Sequence, residues 1–463
     1  MSPAKKIAVI GLDCAPPELV FEQWRDELPC LRSLMEQGVW GKLESVCPPI
    51  TVPAWSCMMS GKDPGQLGIY GFRNRKDHSY DGMTIANSTA VREPRVWDTL
   101  SKAGKKVIVM SVPGTYPPSA VNGSMVSCFL TPNAQSPYTY PPELKADLES
   151  RFGPYMMDVP NFRSENKDEI LQNIYKMTEQ HFAMAGHMVT SQPWDFFMMV
   201  EMGTDRIHHA FWKFHDKNHR KFEPGNRFES AIRDYYHFLD KKIGELLTVL
   251  GDDTTLFVVS DHGAKSMDGG ICINEWLMQE GFLFLSQPLS GPTPIAKAPV
   301  DWKRTIAWGE GGYYSRIFLN VKGREPNGVI DPSEYESVRD RLKAKIEAMP
   351  DDRGKPLGNK VFKPQEVYRS VRNVAPDLIV YFGDLGWRSV GILGTGAVHT
   401  FENDTGPDDA NHAQFGIIMV REAGGRRGAQ VEGTKLLDVS SMILERFGIS
   451  ETDAVQSGAI SRV

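Results

Sequence analysis

The chain has 463 residues, of which 41% are hydrophobic and 24% are charged, a balance typical of globular proteins. The net charge of −6 excludes a basic footprint of the kind that binds nucleic-acid polymers. No apolar run of about 18 residues occurs, so we expect no spanning helix and no membrane partner. The first apolar run ends early at Asp13, which argues against a secretory signal and favours a cytoplasmic location.

The six cysteines form no Cys-x-x-Cys pair and no dense framework. Their mostly apolar surroundings predict buried free thiols rather than disulfides or a thiolate metal site. They are Cys14, Cys30, Cys47, Cys57, Cys128 and Cys272.

Short apolar runs alternate with helical patterns along most of the chain. The runs predict buried strands of a parallel sheet, and the alternation predicts βαβ units with helices on both faces, an α/β fold. The runs are residues 6–13, 106–113, 195–205, 255–263, 377–384 and 415–423.

Residues 264–375 interrupt this alternation with a Gly/Pro-rich stretch, a strand-like run and a helical stretch. They predict an inserted cap subdomain with its own small sheet. The catalytic core would then consist of residues 1–263 and 376–463. Within it, residues 130–190 are first rich in aromatic residues and proline and then helical, which favours a second lid.

Thr51 stands between apolar residues immediately before a helix-like stretch, PPITVPAWS. Pro53 suits the first turn of a helix, so Thr51 lies at or near the N-cap. A threonine there has two interpretations, a helix cap or a reactive hydroxyl at an exposed helix end.

Three apolar runs end in acidic residues or in Asp-His, at Asp13, Asp205, and Asp261 with His262. Open α/β sheets bind ligands beyond the carboxyl ends of their strands, so these side chains can converge. Taken singly, a strand-end aspartate is often a turn or cap residue. A buried Asp-His pair is the stronger signal, because it is costly without partners.

Asp205 and His209 are four residues apart and share one face of a helix. The neighbouring His208 is a competing candidate but lies about 100° around the helix. Either His399 or His412, both in a late loop, could supply a last histidine. We prefer His412 because it precedes the strand-like run FGIIMV.

These carboxylates and imidazoles form a hard, oxygen-rich set without thiolates, which suits zinc or manganese in a hydrolytic site. Two such ions can hold both the attacking and the leaving oxygen of a displacement at phosphorus. Coordination also lowers the pKa of a hydroxyl group, which would give Thr51 a catalytic role.

In the order Asp, Thr, Asp-x-x-x-His, Asp-His, His, the motifs resemble the alkaline phosphatase superfamily. More narrowly, they resemble its type I phosphodiesterase/nucleotide pyrophosphatase family. The resemblance implies a three-layer sandwich with a central, mostly parallel sheet and an inserted cap. The matching motifs are residues 10–13, 50–72, 203–212, 258–263 and 411–420.

The resemblance also implies two divalent metal ions, zinc or alternatively manganese, and a small phosphate-ester substrate, possibly a nucleotide. Thr51 would attack phosphorus and form a covalent phospho-enzyme that water releases. One ion would be held by Asp205, His209 and His412, and the other by Asp13, Asp261, His262 and the Thr51 oxygen.

The chain departs from the family after the threonine, where nucleotide-cleaving members usually carry an asparagine that holds a non-bridging oxygen. Residues 52–55 read Val-Pro-Ala-Trp and supply no amide. The donors would be backbone N–H groups of the helix start, the metals or a cap residue. Because Trp55 stands where sulfatases carry arginine, sulfatase chemistry is not expected.

The substrate class is open between two enzymatic readings. The site motifs contain few cations (Lys62, Arg73, Arg75 and Lys265), which favours diesters over a phosphomonoesterase or phosphomutase. Lys265 could meet a phosphate or be solvated. Aromatic residues of the insertion could stack on a substrate or pack the cap: Trp302, Trp308, Tyr313 and Tyr314. An inactive, ligand-binding member is the alternative from another class.

Overall fold

The computed structural model describes residues 6–80, 82–422, 425 and 427–449. In chain order, the strands are β1 (Ile7–Leu12), β2 (Val39–Glu44), β3 (Arg73–Arg75), β4 (Met83–Ile85), β5 (Val107–Met110), β6 (Gly123–Val126), β7 (Thr139–Tyr140), β8 (Phe196–Glu201), β9 (Thr255–Val259), β10 (Gly263–Ser266), β11 (Gly269–Cys272), β12 (Thr293–Pro294), β13 (Ala307–Glu310), β14 (Ser315–Leu319), β15 (Lys360–Phe362), β16 (Leu378–Tyr381), β17 (Trp387–Val390), β18 (Ile392–Leu393), β19 (His399–Thr400), β20 (Ala410–Ala413), β21 (Phe415–Arg421) and β22 (Ala429–Lys435). The α-helices are α1 (Pro29–Gln37), α2 (Thr51–Ser60), α3 (Pro64–Leu67), α4 (Val96–Lys102), α5 (Leu144–Phe152), α6 (Lys167–Ser191), α7 (Gly203–His215), α8 (Ala231–Leu250), α9 (Ile273–Gln279), α10 (Tyr335–Glu347), α11 (Pro364–Val367) and α12 (Asp438–Arg446).

A nine-stranded sheet forms the middle of the molecule, in the order β22-β2-β21-β9-β1-β8-β5-β6-β7. The run β9-β1-β8-β5-β6 is parallel throughout, and β21 joins it antiparallel to β9 and β2. The strands β1, β8 and β9 are buried along their whole length, as their continuous apolar sequences require. The predicted α/β class with a mostly parallel central sheet is confirmed.

Helices cover this sheet in two groups. The helices α1, α6, α7 and α8 contact one another, and a second group consists of α2, α4 and α12. Each helix of this arrangement buries an apolar stripe, so the layers share one continuous core with the sheet. The result is the expected three-layer sandwich.

A smaller antiparallel sheet, in the order β13-β14-β16-β15, forms the inserted cap with a hydrophobic core of its own. Its strand β16 comes from the run 377–384, so the prediction that this run joins the central sheet is wrong. A short, fully buried apolar strand has the same sequence pattern in either sheet, and only the pairing partner distinguishes them. A strand from beyond residue 375 therefore completes the cap's sheet.

The run 415–423 forms β21, although antiparallel rather than parallel, and its Ala423 lies outside the described residues. The segment 130–190 supplies α5 and α6. The long α6 packs on α7 and α8 as part of the core, while the loop before it reaches the cavity described below.

The cysteines of the described chain are all free thiols; Cys30 and Cys47 are half-buried and the other four are buried. Among the described residues, no helix combines the length and the apolar character needed to cross a bilayer.

Candidate active site

The carboxyl edge of the central sheet brings together residues that are far apart in the sequence. Asp13 follows β1, and Asp261 with His262 follows β9, the neighbouring strand. Strand β8, on the other side of β1, leads into α7, whose first two turns carry Asp205 and His209. The short strand β20 pairs antiparallel with β10 at the same edge and carries His412.

One group of candidate ligands consists of Asp205, His209 and His412. Asp205 Oδ1 lies 3.2 Å from His209 Nε2 and 4.0 Å from His412 Nε2. The two imidazole Nε2 atoms are 3.3 Å apart. Each of the three side chains therefore directs one potential ligand atom to a common point.

A second group consists of Asp13, Asp261 and His262. His262 Nε2 lies 3.2 Å from Asp261 Oδ2 and 3.7 Å from Asp13 Oδ1. These two carboxylate oxygens are buried and accept no hydrogen bond within the described chain. The groups adjoin, because the rings of His262 and His412 stack with their centroids 3.9 Å apart.

The three histidines share one hydrogen-bonding arrangement. Each uses Nδ1 for a protein acceptor: His209 lies 2.7 Å from Asp408 Oδ1, His412 lies 2.8 Å from the Pro49 carbonyl, and His262 lies 3.1 Å from the Gly263 carbonyl. When Nδ1 donates in this way, Nε2 is left unprotonated in the neutral ring and can bind a metal ion.

Thr51 is the first residue of α2, and Ile50 is the N-cap, which makes no side-chain capping bond. The threonine is 2% exposed, and its Oγ1 lies 3.3 Å from His262 Nε2. The capping interpretation is therefore wrong, because the hydroxyl faces the ligand groups and not the backbone of its own helix.

The carboxylates of the two groups have opposite electrostatic surroundings. Burial and the nearby charge of Asp205 raise the pKa of Asp13 well above its usual value, and burial together with Asp13 does the same for Asp261. Burial opposes the ionised form of Asp205 too, but His209 and Arg206 outweigh it and hold the pKa of that carboxyl well below normal.

The pKa values of the three histidines are shifted in different directions. Burial lowers the pKa of His262 to about 4, and burial with the neighbouring His262 and His209 charges lowers that of His412. For His209, the carboxylates Asp408 and Asp205 outweigh burial and raise the pKa to about 9.

These residues fit divalent metal ions. In each group the potential ligand atoms lie within 4.8 Å of one another. Two buried carboxylates with unpaired oxygens are costly together unless a cation lies between them. Carboxylate oxygens and imidazole nitrogens are the donors that zinc and manganese accept.

Cys14 adjoins the group of Asp205 and was not singled out from the sequence. Its thiol lies 3.3 Å from the Gly263 carbonyl, and burial together with four nearby carboxylates raises its pKa well above normal. Cys14 therefore lies where a fourth ligand atom could reach this group, although the sequence predicted a set without thiolates.

A cavity of about 410 Å³ opens beside Thr51, Asp205, His209 and His412. Its walls include the phenylalanines Phe72, Phe129 and Phe162 and five arginines: Arg73, Arg163, Arg206, Arg316 and Arg388. Of the four cations considered from the sequence, only Arg73 lines it. The expectation of few cations at the site is therefore wrong.

The missed arginines come from different parts of the chain. Arg206 directly follows Asp205 in the motif GTDRIHH, so its position on α7 was a usable signal. Arg163, Arg316 and Arg388 come from the segments outside the motifs, and only the fold brings them to the cavity.

Some aromatic residues of the cap pack its core, and others line the cavity. Trp302 stacks on Tyr80 at 3.8 Å and Trp308 is buried in the cap core. Tyr313 and Tyr314 line the cavity, and the ring of Tyr313 stacks on His209 and His412 at 4.8 and 4.3 Å. Packing thus accounts for the tryptophans, and the tyrosines belong to the site.

The competing candidates lie elsewhere. His399 is half-exposed on β19 and contacts the Pro350 carbonyl at 3.0 Å. His208 faces the hydroxyl of Tyr236 at 3.3 Å, away from its neighbour His209. Lys265 donates to the Asp384 carbonyl at 3.0 Å and does not line the cavity.

The model of the type I phosphodiesterase/nucleotide pyrophosphatase family matches residues 7–408. The chain belongs to this family. It is therefore a hydrolase of the phosphodiesterase/pyrophosphatase type within the alkaline phosphatase superfamily. Its structure clusters residues that could hold metal ions.

Solved structures of the same fold include murine ectonucleotide pyrophosphatase/phosphodiesterase 5, at 14% sequence identity and a TM-score of 0.58, with 96% of this chain and 95% of that chain covered. Phosphonoacetate hydrolase from Sinorhizobium meliloti 1021 in complex with phosphonoformate is 15% identical, with a TM-score of 0.60 and 96% of both chains covered. An inactive variant of the murine protein has been solved in complex with AMP. A search of curated proteins finds no match.

Proposed function

We propose that this family member hydrolyses small phosphate esters, namely diesters or nucleotide pyrophosphates, through a covalent phospho-enzyme with Thr51 as nucleophile and two divalent metal ions, zinc or manganese. The observation that carries the proposal is the position of the Thr51 hydroxyl. It lies at the start of a helix, 3.3 Å from His262 and beside both ligand groups.

In this proposal Asp205, His209 and His412 would hold one ion, while Asp13, Asp261, His262 and the Thr51 oxygen would hold the other. When bound, the ions would supply positive charge beside phosphorus and lower the pKa of coordinated hydroxyl groups. Residues 264–375 would act as a cap, since Tyr313 reaches the cavity. Of the segment 130–190, the loop before α6 would act as a lid, since it carries Arg163 to the cavity.

The chemistry then takes two displacements. Thr51 Oγ1, its proton lost to solvent, attacks phosphorus, and the bond to the leaving oxygen breaks with its electron pair. The leaving group takes up a proton. Water next attacks the phosphothreonine, the Oγ1–phosphorus bond breaks, and the free hydroxyl of Thr51 is restored. The buried start of α2 keeps the nucleophile in one orientation throughout.

A phosphomonoesterase is the second candidate, and the arginines of the cavity favour it. A monoester carries more negative charge than a diester, and guanidinium groups pair well with phosphate oxygens. The nucleotide alternative is supported by the AMP complex of the murine relative, and by the phenylalanines of the cavity wall, whose faces suit a base.

The first experiment compares Thr51→Ala with the parent protein after metal loading. We expect the two metal ions to remain and kcat to fall by about 10³-fold or more, because the covalent path is removed. Turnover of bis(p-nitrophenyl) phosphate and of p-nitrophenyl phosphate is measured together with metal content. The ratio of the two rates distinguishes the diesterase from the monoesterase.

Thr254→Ala is the matched control, because Thr254 is equally buried, bonds to the Leu250 carbonyl at 2.7 Å, and precedes β9 at the opposite edge of the sheet. It should keep full activity. A Thr51→Ala protein that turns over like the control would refute the nucleophile assignment. A parent protein without bound metal or turnover would instead favour an inactive, ligand-binding member.

A further inference from the structure

Arg206 is a buried cation in the first turns of α7, next in sequence to Asp205. It is 7% exposed and lines the cavity together with Thr51, Asp205, His209 and His412.

Two carboxylates hold this guanidinium in place. Nε donates to Asp158 Oδ1 at 2.7 Å and Nη2 to Asp158 Oδ2 at 2.8 Å, a two-point contact. Nη1 donates to Asp205 Oδ2, the carboxylate oxygen opposite the one that faces the histidines. The ring of Phe162 covers the guanidinium at 4.3 Å. Its orientation is therefore determined before any ligand enters.

A guanidinium has five N–H donors, and these contacts use three of them. Within the described part of the chain, the remaining two, one on Nη1 and one on Nη2, meet no acceptor. Unused donors of a charged group in a cavity wall are available to an anion.

The helix start beside Thr51 supplies few donors of its own. Pro53 has no N–H, and the N–H of Ala54 is used by the Ile50 carbonyl at 2.9 Å, which leaves the N–H groups of Thr51 and Val52 without a backbone acceptor in the described chain. The side chains of Val52, Pro53 and Ala54 have no polar atoms. These two N–H groups are neutral, so a charged donor from another element would add to the stabilisation of the negative charge on a phosphoryl group at Thr51.

We propose that Arg206 is a substrate-binding residue whose two unused N–H groups donate to a non-bridging oxygen of the phosphoryl group attacked by Thr51. The inference rests on the proposed function. It assigns to one residue of α7 both the contact that orients Asp205 and the recognition of the phosphoryl oxygen.

The test uses the metal-loaded, full-length protein with Arg206→Lys and Arg206→Gln. Direct contact predicts that kcat/KM falls by about 10²–10³-fold in the glutamine variant, as for the loss of one oxyanion donor, and by less in the lysine variant, which keeps the charge. Metal content and thermal unfolding are measured for each variant, because Arg206 also contacts Asp205.

A binding measurement separates contact from positioning. Inorganic phosphate is titrated into Thr51→Ala and into Thr51→Ala/Arg206→Gln at saturating zinc. We expect phosphate to bind at least about tenfold more weakly to the double variant although both proteins carry the same metal content. Equal phosphate affinity at equal metal content, or an affinity loss that excess zinc fully restores, would overturn the proposal.

Arg95→Gln is the matched control. Arg95 is also 7% exposed and paired with a carboxylate, Asp98, at 2.9 Å, but it lies at the start of α4, outside the cavity. It should leave kcat/KM within about twofold of the parent, as expected for a residue distant from the site. If Thr51→Ala is inactive while Arg206→Gln behaves like this control, only the inference about Arg206 fails. If Thr51→Ala is active, the proposed function fails instead.

Discussion

His209 shows how single residues prepare the site for a cation. Its Nδ1 lies 2.7 Å from Asp408, which in turn accepts a hydrogen bond from Tyr313 at 2.8 Å, and Arg163 donates to the Tyr313 hydroxyl at 2.7 Å. The imidazole is thereby held in one tautomer and one orientation. Asp408 is not part of any sequence motif we considered, although it supports a proposed ligand.

Asp408→Asn should weaken metal binding by about 10- to 100-fold, because the amide supports the His209 imidazole less strongly than the carboxylate. A chelator competition with a fluorescent zinc indicator measures the affinity. The neighbouring Asp409 points to Lys213 at 3.4 Å, and Asp409→Asn serves as the control. Equal zinc affinity in both variants would exclude the supporting role of Asp408.

Helix α2 both carries Thr51 and places Trp55 beside Asp13. Thr51 and Trp55 are one turn apart, so the Thr51 hydroxyl and the indole lie on the same face. Trp55 Nε1 donates to Asp13 Oδ2 at 2.7 Å. The indole passes over Gly11 of β1 so closely that a Cβ there would lie 2.5 Å from Trp55 Cη2. The glycine of the IGLD motif is therefore needed for helix and strand to meet.

Trp55→Phe should retain the packing and remove this hydrogen bond. The variant is then expected to bind a metal ion at the group of Asp13, Asp261 and His262 about tenfold more weakly, since the Asp13 carboxylate loses the hydrogen bond that orients it. Metal content after stepwise dialysis against chelator is the measurement. Trp194→Phe, which loses a bond of 3.0 Å to the Val189 carbonyl, is the control. If both variants release metal alike, the effect comes from stability alone.

Charge is distributed unevenly over the whole molecule. The chain has a net charge of −6, whereas the walls of the cavity contain five arginines and three carboxylates, Asp158, Asp205 and Glu310. A cleft with a surplus of cations in an otherwise acidic protein attracts small anions without attracting nucleic acid in general. This is consistent with a small phosphate ester as substrate.

The pH dependence of folding follows from Asp13 and Asp261. Their pKa values are raised in the folded, metal-free protein, mainly by burial. A raised pKa contributes stability that is fully present below the unfolded pKa and is lost as the pH rises through the folded pKa. The metal-free protein should therefore lose this contribution as the pH rises above the ordinary pKa of an aspartate and through the raised pKa values of Asp13 and Asp261.

Metal binding should compensate for that loss. The ligands must be deprotonated, so protons compete with metal at Asp13, Asp261 and His209, whose pKa values are all raised. We expect added zinc to raise Tm more at pH 8 than at pH 5.5, measured by differential scanning fluorimetry with a chelated control. A zinc effect of equal size at both pH values would contradict the assignment.

The sequence alone was enough to predict the order of apolar runs and the α/β class. It also predicted that Asp13, Thr51, Asp261 and His262 lie at strand or helix ends, because such ends depend on the pattern of neighbouring residues. It also placed Asp205 and His209 on one helical face. The pairing of the strands could not be predicted from the sequence. Only the fold shows that β16 pairs with β14 and β15 in the sheet of the cap, and that β21 is antiparallel to β9. Likewise, the arginine lining, the support from Asp408 and Tyr313 and the contacts of Arg206 depend on residues that are far apart in the chain, from Arg73 to Arg388 for the arginines. The physical reason is that side chains from different elements come into contact only when the core packs, and the pattern of neighbouring residues in the sequence does not predict those contacts.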